Sequence, residues 1–141
     1  MLRFASLASV LAFALTGCAS RPAAFEQATE DFVYSDLALS PVSATAAGYH
    51  RHQGVNLDDL LDDYSPEGVA RERAFLAGTR GRLHEFTPDT LSPEERADYQ
   101  IIDDQISLSL LELDSIQSYR HNPTVYVELI GNALFNPYVL N

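Results

Sequence analysis

The stretch SPEERADYQIIDDQISLSLLEL, residues 92–113, decides the fold class of this chain. It opens with a helix start at residues 92–95 (SPEE), because serine caps the first amides, proline fits the first turn and carboxylates favour the positive end of the helix dipole. The apolar residues that follow recur at helical spacing on one face: Tyr99, Ile102, Ile106, Leu110 and Leu113. A second set widens that apolar surface: Ile101, Leu108 and Leu111. The stretch therefore predicts a long helix that needs neighbours on more than one side.

The segment before it predicts a second helix of similar length. Residues 65–67 (SPE) repeat the serine-proline start. One apolar stripe follows at sevenfold spacing, made of Val69, Leu76 and Leu83 and joined by Phe75, Thr79 and Phe86. Residues 87–91 then form a turn, so the two helices are expected to pack side by side.

Three further helices are expected, over residues 25–39, over residues 41–49 and from residue 122 to about residue 136. Ser40-Pro41 ends the first and starts the second, and Gly48 suits the end of the second. Residues 50–65 are rich in glycine, asparagine and aspartate and predict a loop. No segment alternates apolar and polar residues, so a sheet is not expected. The predicted fold class is all-α, an antiparallel helical bundle.

The charge of the chain limits its partners. Its 141 residues carry a formal net charge of −11, and every basic residue is arginine. Such a field repels nucleic acid and anionic lipid headgroups, so we expect neither as a partner. Cys18 is the single cysteine, which excludes an intrachain disulfide or a thiolate zinc site within this sequence. Stability is expected to come from apolar packing.

The N-terminus carries an export signal. Arg3 precedes the apolar run Phe4–Leu15, which has the length of a secretory signal and is too short to span a bilayer. Leu15-Thr16-Gly17-Cys18 resembles the lipobox of bacterial lipoproteins. That resemblance implies cleavage after residue 17, diacylglycerol on the Cys18 sulfur and acylation of its new amine. The alternatives are an ordinary signal peptide with a chance cysteine, or a buried apolar helix with a free thiol.

The lipobox resemblance also gives a domain organisation and a location. Residues 1–17 are the predicted signal peptide, residues 18–24 the lipidated cysteine with its tether, and residues 25–141 the helical domain. Two or more lipid chains anchor a protein firmly, so the expected membrane contact is the lipid on Cys18. The expected location is the bacterial cell envelope. Ala19 replaces the aspartate that usually retains lipoproteins at the inner membrane, which favours the periplasmic side of the outer membrane.

The histidines do not form a complete metal site. His84-Glu85 begins the zinc-peptidase motif His-Glu-x-x-His, but Pro88 stands where the second histidine is needed. His50 and His52 could meet at one metal only on a strand, and they lie where a helix is expected to pass into a loop. We therefore predict no metal ligand and no cofactor in this chain.

The carboxylates are also interpreted without a catalytic role. The cluster at residues 58–63 (DDLLDD) lacks the spacing and the closing glutamate of an EF-hand, which favours a solvated loop over a calcium site. Asp103-Asp104, Glu112 and Asp114 lie on the long helix, where a solvated face is the simplest interpretation. The sequence contains neither a Gly-x-Ser-x-Gly elbow nor a phosphate-binding glycine loop. No catalytic residue is predicted.

Several spaced motifs resemble the N-terminal part of the bacterial family catalogued as domain of unknown function 885 (DUF885). They are Pro41 with Ala44-Thr45-x-x-Gly48, Asp58-Asp59 leading to Tyr64-Ser65-Pro66, and Asn122-Pro123-x-x-Tyr126. The likeness covers residues 25–141. It implies the N-terminal portion of a larger helical protein, often secreted or lipid-anchored, that resembles zinc metallopeptidases of the His-Glu-x-x-His type.

The resemblance leaves two main hypotheses for function. In the first, this is the lipid-anchored N-terminal segment of such a metallopeptidase-like protein, whose metal motif lies downstream. The segment is then inactive alone, its partner is the missing catalytic part, and the peptide substrate is unknown. In the second, it is a free-standing, small acidic lipoprotein that acts as a binding or envelope-scaffold module. A third hypothesis, that the chain is itself a hydrolase, lacks a catalytic set.

Overall fold

The computed structural model describes residues 21–139, and the predicted all-α class is confirmed. Six helices follow one another: α1 (Arg21–Leu39), α2 (Pro41–Ala46), α3 (Pro66–Leu83), α4 (Pro93–Leu111), α5 (Ser118–His121) and α6 (Thr124–Val139). The connecting segments are a hairpin of β1 (Arg51–His52) with β2 (Val55–Asn56), 3₁₀ turns at Leu57–Asp59 and Pro88–Thr90, and a π-helical turn at Glu112–Ile116. No helix within residues 21–139 is long and apolar enough to cross a membrane.

Helices α1, α3 and α4 form an antiparallel bundle. Phe25 meets Phe86 edge to face at 5.2 Å between ring centroids, and Phe32 stacks on Phe75 at 6.2 Å. From the first pair to the second, the residue number increases along α1 and decreases along its partner segment. The two helices therefore run in opposite directions. The buried core of the bundle combines both predicted stripes with α1: Phe25, Phe32, Val69, Leu76, Leu83, Leu91, Ile102, Ile106 and Leu113.

Of the three predicted serine-proline starts, those at Ser92 and Ser65 are confirmed as helix caps, whereas the Ser40 side chain makes no capping hydrogen bond. Ser92 accepts a hydrogen bond from the Glu95 amide at 3.2 Å, and its own amide donates to the Glu95 carboxylate at 2.8 Å. Ser65 accepts from the Gly68 amide at 3.0 Å. A cap of this kind stabilises a helix by about 1 kcal/mol. The caps therefore fix where α4 and α3 begin.

The short helix α2 ends earlier than predicted, at Ala46 rather than Tyr49. The reason lies at Gly48, which adopts φ 81°, a left-handed conformation that terminates helices. The Tyr49 amide then donates back to the Ala44 carbonyl at 2.8 Å. Gly48 was correctly predicted to end this helix, although it acts just beyond the last helical residue.

The prediction that no sheet is present is wrong, because the structure contains one short hairpin. Arg51 pairs with Asn56 and His52 with Val55 in an antiparallel hairpin. Its turn residues Gln53 and Gly54 both have positive φ, at 46° and 84°, which is the geometry of the two-residue turns that join hairpins. Two-residue strands are too short to show alternation, so periodicity could not predict them.

Other predicted boundaries are also wrong, including those of α6, which spans Thr124–Val139 and not residues 122–136. Helix α3 ends at Leu83, not at Phe86, and the chain then turns so that Phe86 packs back on Phe25. Helix α1 begins at Arg21, so residues 21–24, which were assigned to the tether, are helical. A proline in the first turn is compatible with this, because its missing amide has no partner there. Cys18 and the predicted signal peptide lie outside the described residues.

Helix α4 passes into the π-helical turn. The Gln117 amide donates to the Glu112 carbonyl at 2.6 Å and closes that turn. Gln117 itself is left-handed, at φ 54° and ψ 44°, and α5 begins at the next residue. The chain thus changes direction sharply between the bundle and α6.

Candidate functional site

A cavity of about 420 Å³ opens at the end of the bundle where α1 finishes and α6 begins. Its walls come from five parts of the chain and include Leu39, Asp62, Tyr64, Glu72, Leu108 and Glu112. Apolar and acidic side chains therefore face the same space.

Two of the cavity carboxylates accept hydrogen bonds from backbone amides. Asp62 accepts from the Val42 amide at 3.1 Å, which ties the loop before α3 to α2. Glu112 accepts from the Ser118 amide at 2.7 Å, which ties the π-helical turn to α5. These bonds give both carboxylates a structural role at the cavity wall.

Glu72 is the half-buried carboxylate of α3 that faces this cavity. Burial raises the pKa of Glu72, and the neighbouring carboxylates of Asp36 and Asp62 raise it further. Burial also raises the pKa of Asp62, against the opposing effect of the Val42 amide, and that of Asp36. Three acids thus repel one another at the junction of α1, α3 and the loop.

Asp63 lies beside this group but behaves in the opposite way. Hydrogen bonds from Ser65 and from the Arg71 guanidinium, whose Nη2 lies 2.6 Å from Oδ2, lower the pKa of Asp63 to about 2. The cavity therefore combines an ionised, paired carboxylate with two, Asp62 and Glu72, that hold protons more tightly. No nucleophile is paired with a base there, so the geometry assigns no reaction to it.

Tyrosines close one side of the cavity. Tyr64 stacks on Tyr119 at 6.3 Å and meets Tyr126 edge to face at 5.7 Å. The Tyr126 hydroxyl donates to the Tyr119 carbonyl at 2.6 Å. Burial raises the pKa of the Tyr64 hydroxyl, as do nearby acids beginning with Asp62. This cluster joins the loop before α3 to α5 and α6.

The structure separates His50 from His52. His50 Nδ1 lies 2.8 Å from Asp58 Oδ1, whereas His52 Nδ1 lies 2.9 Å from the Tyr49 hydroxyl. The prediction placed both in a helix-to-loop exit, and Arg51 and His52 instead form β1. Each imidazole thus has its own partner within the hairpin region.

His84 stands beside an acid of α4, not beside a second imidazole. Its Nε2 lies 3.1 Å from Asp103 Oδ1, and Arg80 Nε lies 3.5 Å from the same oxygen. Farther along, Arg73 Nε lies 2.5 Å from Asp114 Oδ1. Asp103 and Asp114, interpreted from the sequence as a solvated face of the long helix, are therefore ion-pair partners of α3. Asp103 joins α3 to α4, whereas Asp114 lies in the π-helical turn and joins α3 to that turn.

The acidic loop is likewise used for local structure. Asp58 accepts from Thr45 Oγ1 at 2.8 Å in addition to its contact with His50, and Asp59 accepts from Asn56 Nδ2 at 2.7 Å. Within residues 21–139 no three His, Cys, Asp or Glu side chains are grouped so that they could hold a metal ion. The residues present do not fit the zinc implied by the family resemblance. Cys18, the predicted lipidation site, lies outside the described part.

Sequence reasoning missed the cavity, because its members come from distant segments that periodicity cannot bring together. One local signal was available at Gly68, in the first turn of α3. A Cβ there would collide with the Asp63 backbone carbonyl, so Gly68 allows the acidic loop to lie directly against α3. A glycine at that place in a helix indicates close packing.

The fold and the cavity define a class, a small helical bundle whose tyrosine-lined and acid-lined end is built from segments far apart in the sequence. The family model for "Bacterial protein of unknown function (DUF885)" matches residues 41–136. The chain belongs to this family. Comparison with curated proteins and with solved structures finds no match.

The motifs that resembled this family contact one another in the structure. Thr45 of the Ala44-Thr45-x-x-Gly48 motif donates to Asp58 of the acidic loop. Tyr64, which follows that loop, packs on Tyr126 of the last motif. The resemblance therefore lies on one side of the molecule, around α2, the acidic loop and the start of α6.

Proposed function

We propose that this chain is a membrane-anchored lipoprotein and forms the N-terminal helical segment of a metallopeptidase-like protein of this family. Lipid on Cys18 provides the anchor, in the bacterial envelope and on the periplasmic side of the outer membrane. The helical segment contributes a wall to a catalytic cleft built elsewhere. It contains no metal site of its own and is inactive alone, and its peptide substrate is unidentified.

Two uncovered apolar helix faces carry the proposal. On α4, Ile101, Leu108 and Leu111 remain exposed, with 66% of Ile101 accessible. On α6, the exposed apolar side chains include Val127, Ile130, Leu134 and Phe135. Contiguous apolar surface on a soluble protein marks a place where another protein surface packs. These faces are therefore suited to contact a further helical part.

The completeness of the core favours the second candidate, a free-standing binding or scaffold module. Leu76 and Ile106 at the centre of the bundle are fully buried, in a core built mainly by α1, α3 and α4. A bundle with such a core can fold without a further domain. In that case the apolar faces bind a separate partner.

Lipid labelling tests the anchor. The full chain expressed in a Gram-negative host with labelled palmitate should incorporate label and sediment with outer membranes. Cys18→Ser should abolish the label and release the protein from membranes. The control substitution Thr16→Ser, also near the N-terminus, should leave the label and the membrane association unchanged. Label that persists in Cys18→Ser would contradict the anchor.

The genomic sequence after codon 141 tests the relationship to peptidases. We expect a coding region, in this frame or in a shifted one, that specifies a helix with His-Glu-x-x-His. Its product and this chain should co-purify when expressed together, and should cleave peptides only when both are present. Absence of such a region would favour the free-standing module.

A further inference from the structure

A second concave surface lies beside α6, on the side away from the bundle core. Its floor is apolar and consists of Val42 from α2, Leu60 and Leu61 from the acidic loop, and Ala133 and Leu134 from α6. The groove has a volume of about 200 Å³. Leu61 and Leu134 are both more than half exposed, at 54% and 64%, so their apolar surface is accessible to a binding partner.

The groove continues along α6 as an apolar stripe. Val127, Ile130 and Leu134 are exposed and recur at i, i+3 and i+7, which places them on one helix face. At 1.5 Å per residue the stripe is about 10 Å long. Its shape and spacing match the apolar face of another helix, which docks through side chains at the same intervals.

The rim of the groove has one sign of charge. Asp58 and Asp59 lie beside Leu60 and Leu61, and none of the lining residues described is basic. Hydrogen bonds from His50 and Thr45 keep Asp58 in its ionised form and lower its pKa. A partner that places lysine or arginine next to its apolar side chains would therefore gain charge complementarity.

The same charge disfavours the other possible occupants. A second copy would bring its own acidic rim to this one, and the chain already carries a net charge of −11. An anionic membrane surface is repelled for the same reason.

From these observations we infer that the groove formed by α2, residues 60–61 and α6 binds a helix of a partner protein whose apolar face is flanked by lysine or arginine. This interaction rests on the α6 face that the proposed function also invokes and deepens it by naming the chemistry of the partner, but it requires neither lipid on Cys18 nor a peptidase. The apolar face supplies contact area, and the basic flank fixes orientation against Asp58 and Asp59.

A designed peptide tests the inference directly. The probe is a fluorescent helix of about 18 residues with leucine on one face and lysine beside it, and the matched probe carries glutamate in place of lysine. Each is titrated with the full chain, and the same titration without protein is the blank. The lysine probe should bind at least about tenfold more tightly than the glutamate probe, and binding should weaken as salt rises.

Two exposed apolar residues provide a matched pair of variants. Leu134→Ser should weaken the lysine probe by about tenfold, because it removes a leucine from the groove floor. Ile101→Ser, at a position of equal exposure on α4, should change binding by less than about twofold. Asp59→Asn should weaken binding about two- to fivefold and reduce its salt dependence. Circular dichroism should show that all three variants are folded.

Three results would overturn the inference. Equal binding of the lysine and glutamate probes would contradict a partner with lysine or arginine beside its apolar face. An equal loss of binding in Leu134→Ser and Ile101→Ser would indicate adsorption without a defined site. A concentration-dependent dimer that Leu134→Ser abolishes would show that a second copy occupies the groove. None of these results bears on the Cys18 label or on the coding region after codon 141, so a failure of the groove can be told apart from a failure of the proposed function.

Discussion

The three-helix bundle and the α6 end of the molecule use apolar residues in opposite ways. In the bundle, α1, α3 and α4 direct their stripes inward, and Leu76 and Ile106 are fully buried. On α6, none of the described side chains is fully buried, and Val127, Ile130 and Leu134 face outward. The bundle therefore provides the buried core that stabilises the fold, whereas α6 exposes apolar side chains that a partner could contact. The family match, over residues 41–136, includes parts of both regions.

The largest expected effect comes from a substitution at the centre of the bundle. Leu76→Ala should lower the free energy of unfolding by about 2–5 kcal/mol, because it leaves a cavity among fully buried neighbours. Leu134→Ala on α6 removes the same atoms from an exposed site and should cost less than about 0.5 kcal/mol. Urea unfolding followed by circular dichroism measures both. Equal effects would mean that the two regions contribute alike to stability.

A smaller effect is expected where the acidic loop meets the bundle. Gly68→Ala should destabilise the protein by about 1–3 kcal/mol, since the new Cβ collides with the Asp63 carbonyl. Gly78 lies in the same helix, and the nearest atom to a Cβ there is the end of the flexible Arg82 side chain, at 3.8 Å. Gly78→Ala should therefore stabilise α3 by up to about 1 kcal/mol. Thermal unfolding of the pair gives opposite shifts, and a neutral Gly68→Ala would show that the loop yields.

The smallest expected effect concerns the carboxylates of Asp36, Asp62 and Glu72, at the junction of α1, α3 and the acidic loop. Folding raises the pKa of Glu72, chiefly through burial, above its ordinary value of 4.5. The folded state then retains a proton that the unfolded chain has released, so stability should increase as pH falls from 7 towards 4.5. Asp63 acts in the opposite sense, but only below its ordinary value of 3.8.

Glu72→Gln tests that expectation. It should stabilise the protein at pH 7 by about 0.5 kcal/mol and flatten the pH dependence between 4.5 and 7. Glu85→Gln, at an exposed position after the end of α3, provides the control and should leave the profile unchanged. Urea midpoints at several pH values measure both variants. A steeper profile in Glu72→Gln would contradict the repulsion among Asp36, Asp62 and Glu72.

The sequence predicted the bundle because each of its helices carries its own signals. Ser92-Pro93-Glu94-Glu95 starts α4 as predicted, where Ser92 and Glu95 form a capping box, and the stripe from Val69 to Leu83 is buried as predicted. These signals are local, since caps act within one turn and stripes within one helix. The expectation that α4 needs neighbours on a second side is unmet within the described residues, where Ile101 and Leu108 stay exposed.

The cavity and the groove could not be predicted in the same way. Glu72 faces Asp36 across the interface of α1 with α3, and Tyr64 meets Tyr126 across more than sixty intervening positions. Such meetings depend on how the helices are arranged, which periodicity does not specify. The hairpin was missed because two-residue strands have no measurable alternation. The family resemblance identified several of these residues without indicating that they are in contact.

The direction of α6 has a mechanical consequence for the groove. Two breaks in the helical path, at Gln117 and at Asn122-Pro123, lie between α4 and α6. Leu134 lies ten residues from the start of α6, about 15 Å along its axis. A change of about 10° in the direction of α6 at its start would therefore move Leu134 by about 3 Å relative to Leu61. The contacts of α6 with α2 and of Tyr126 with Tyr64 hold that direction, and with it the width of the groove.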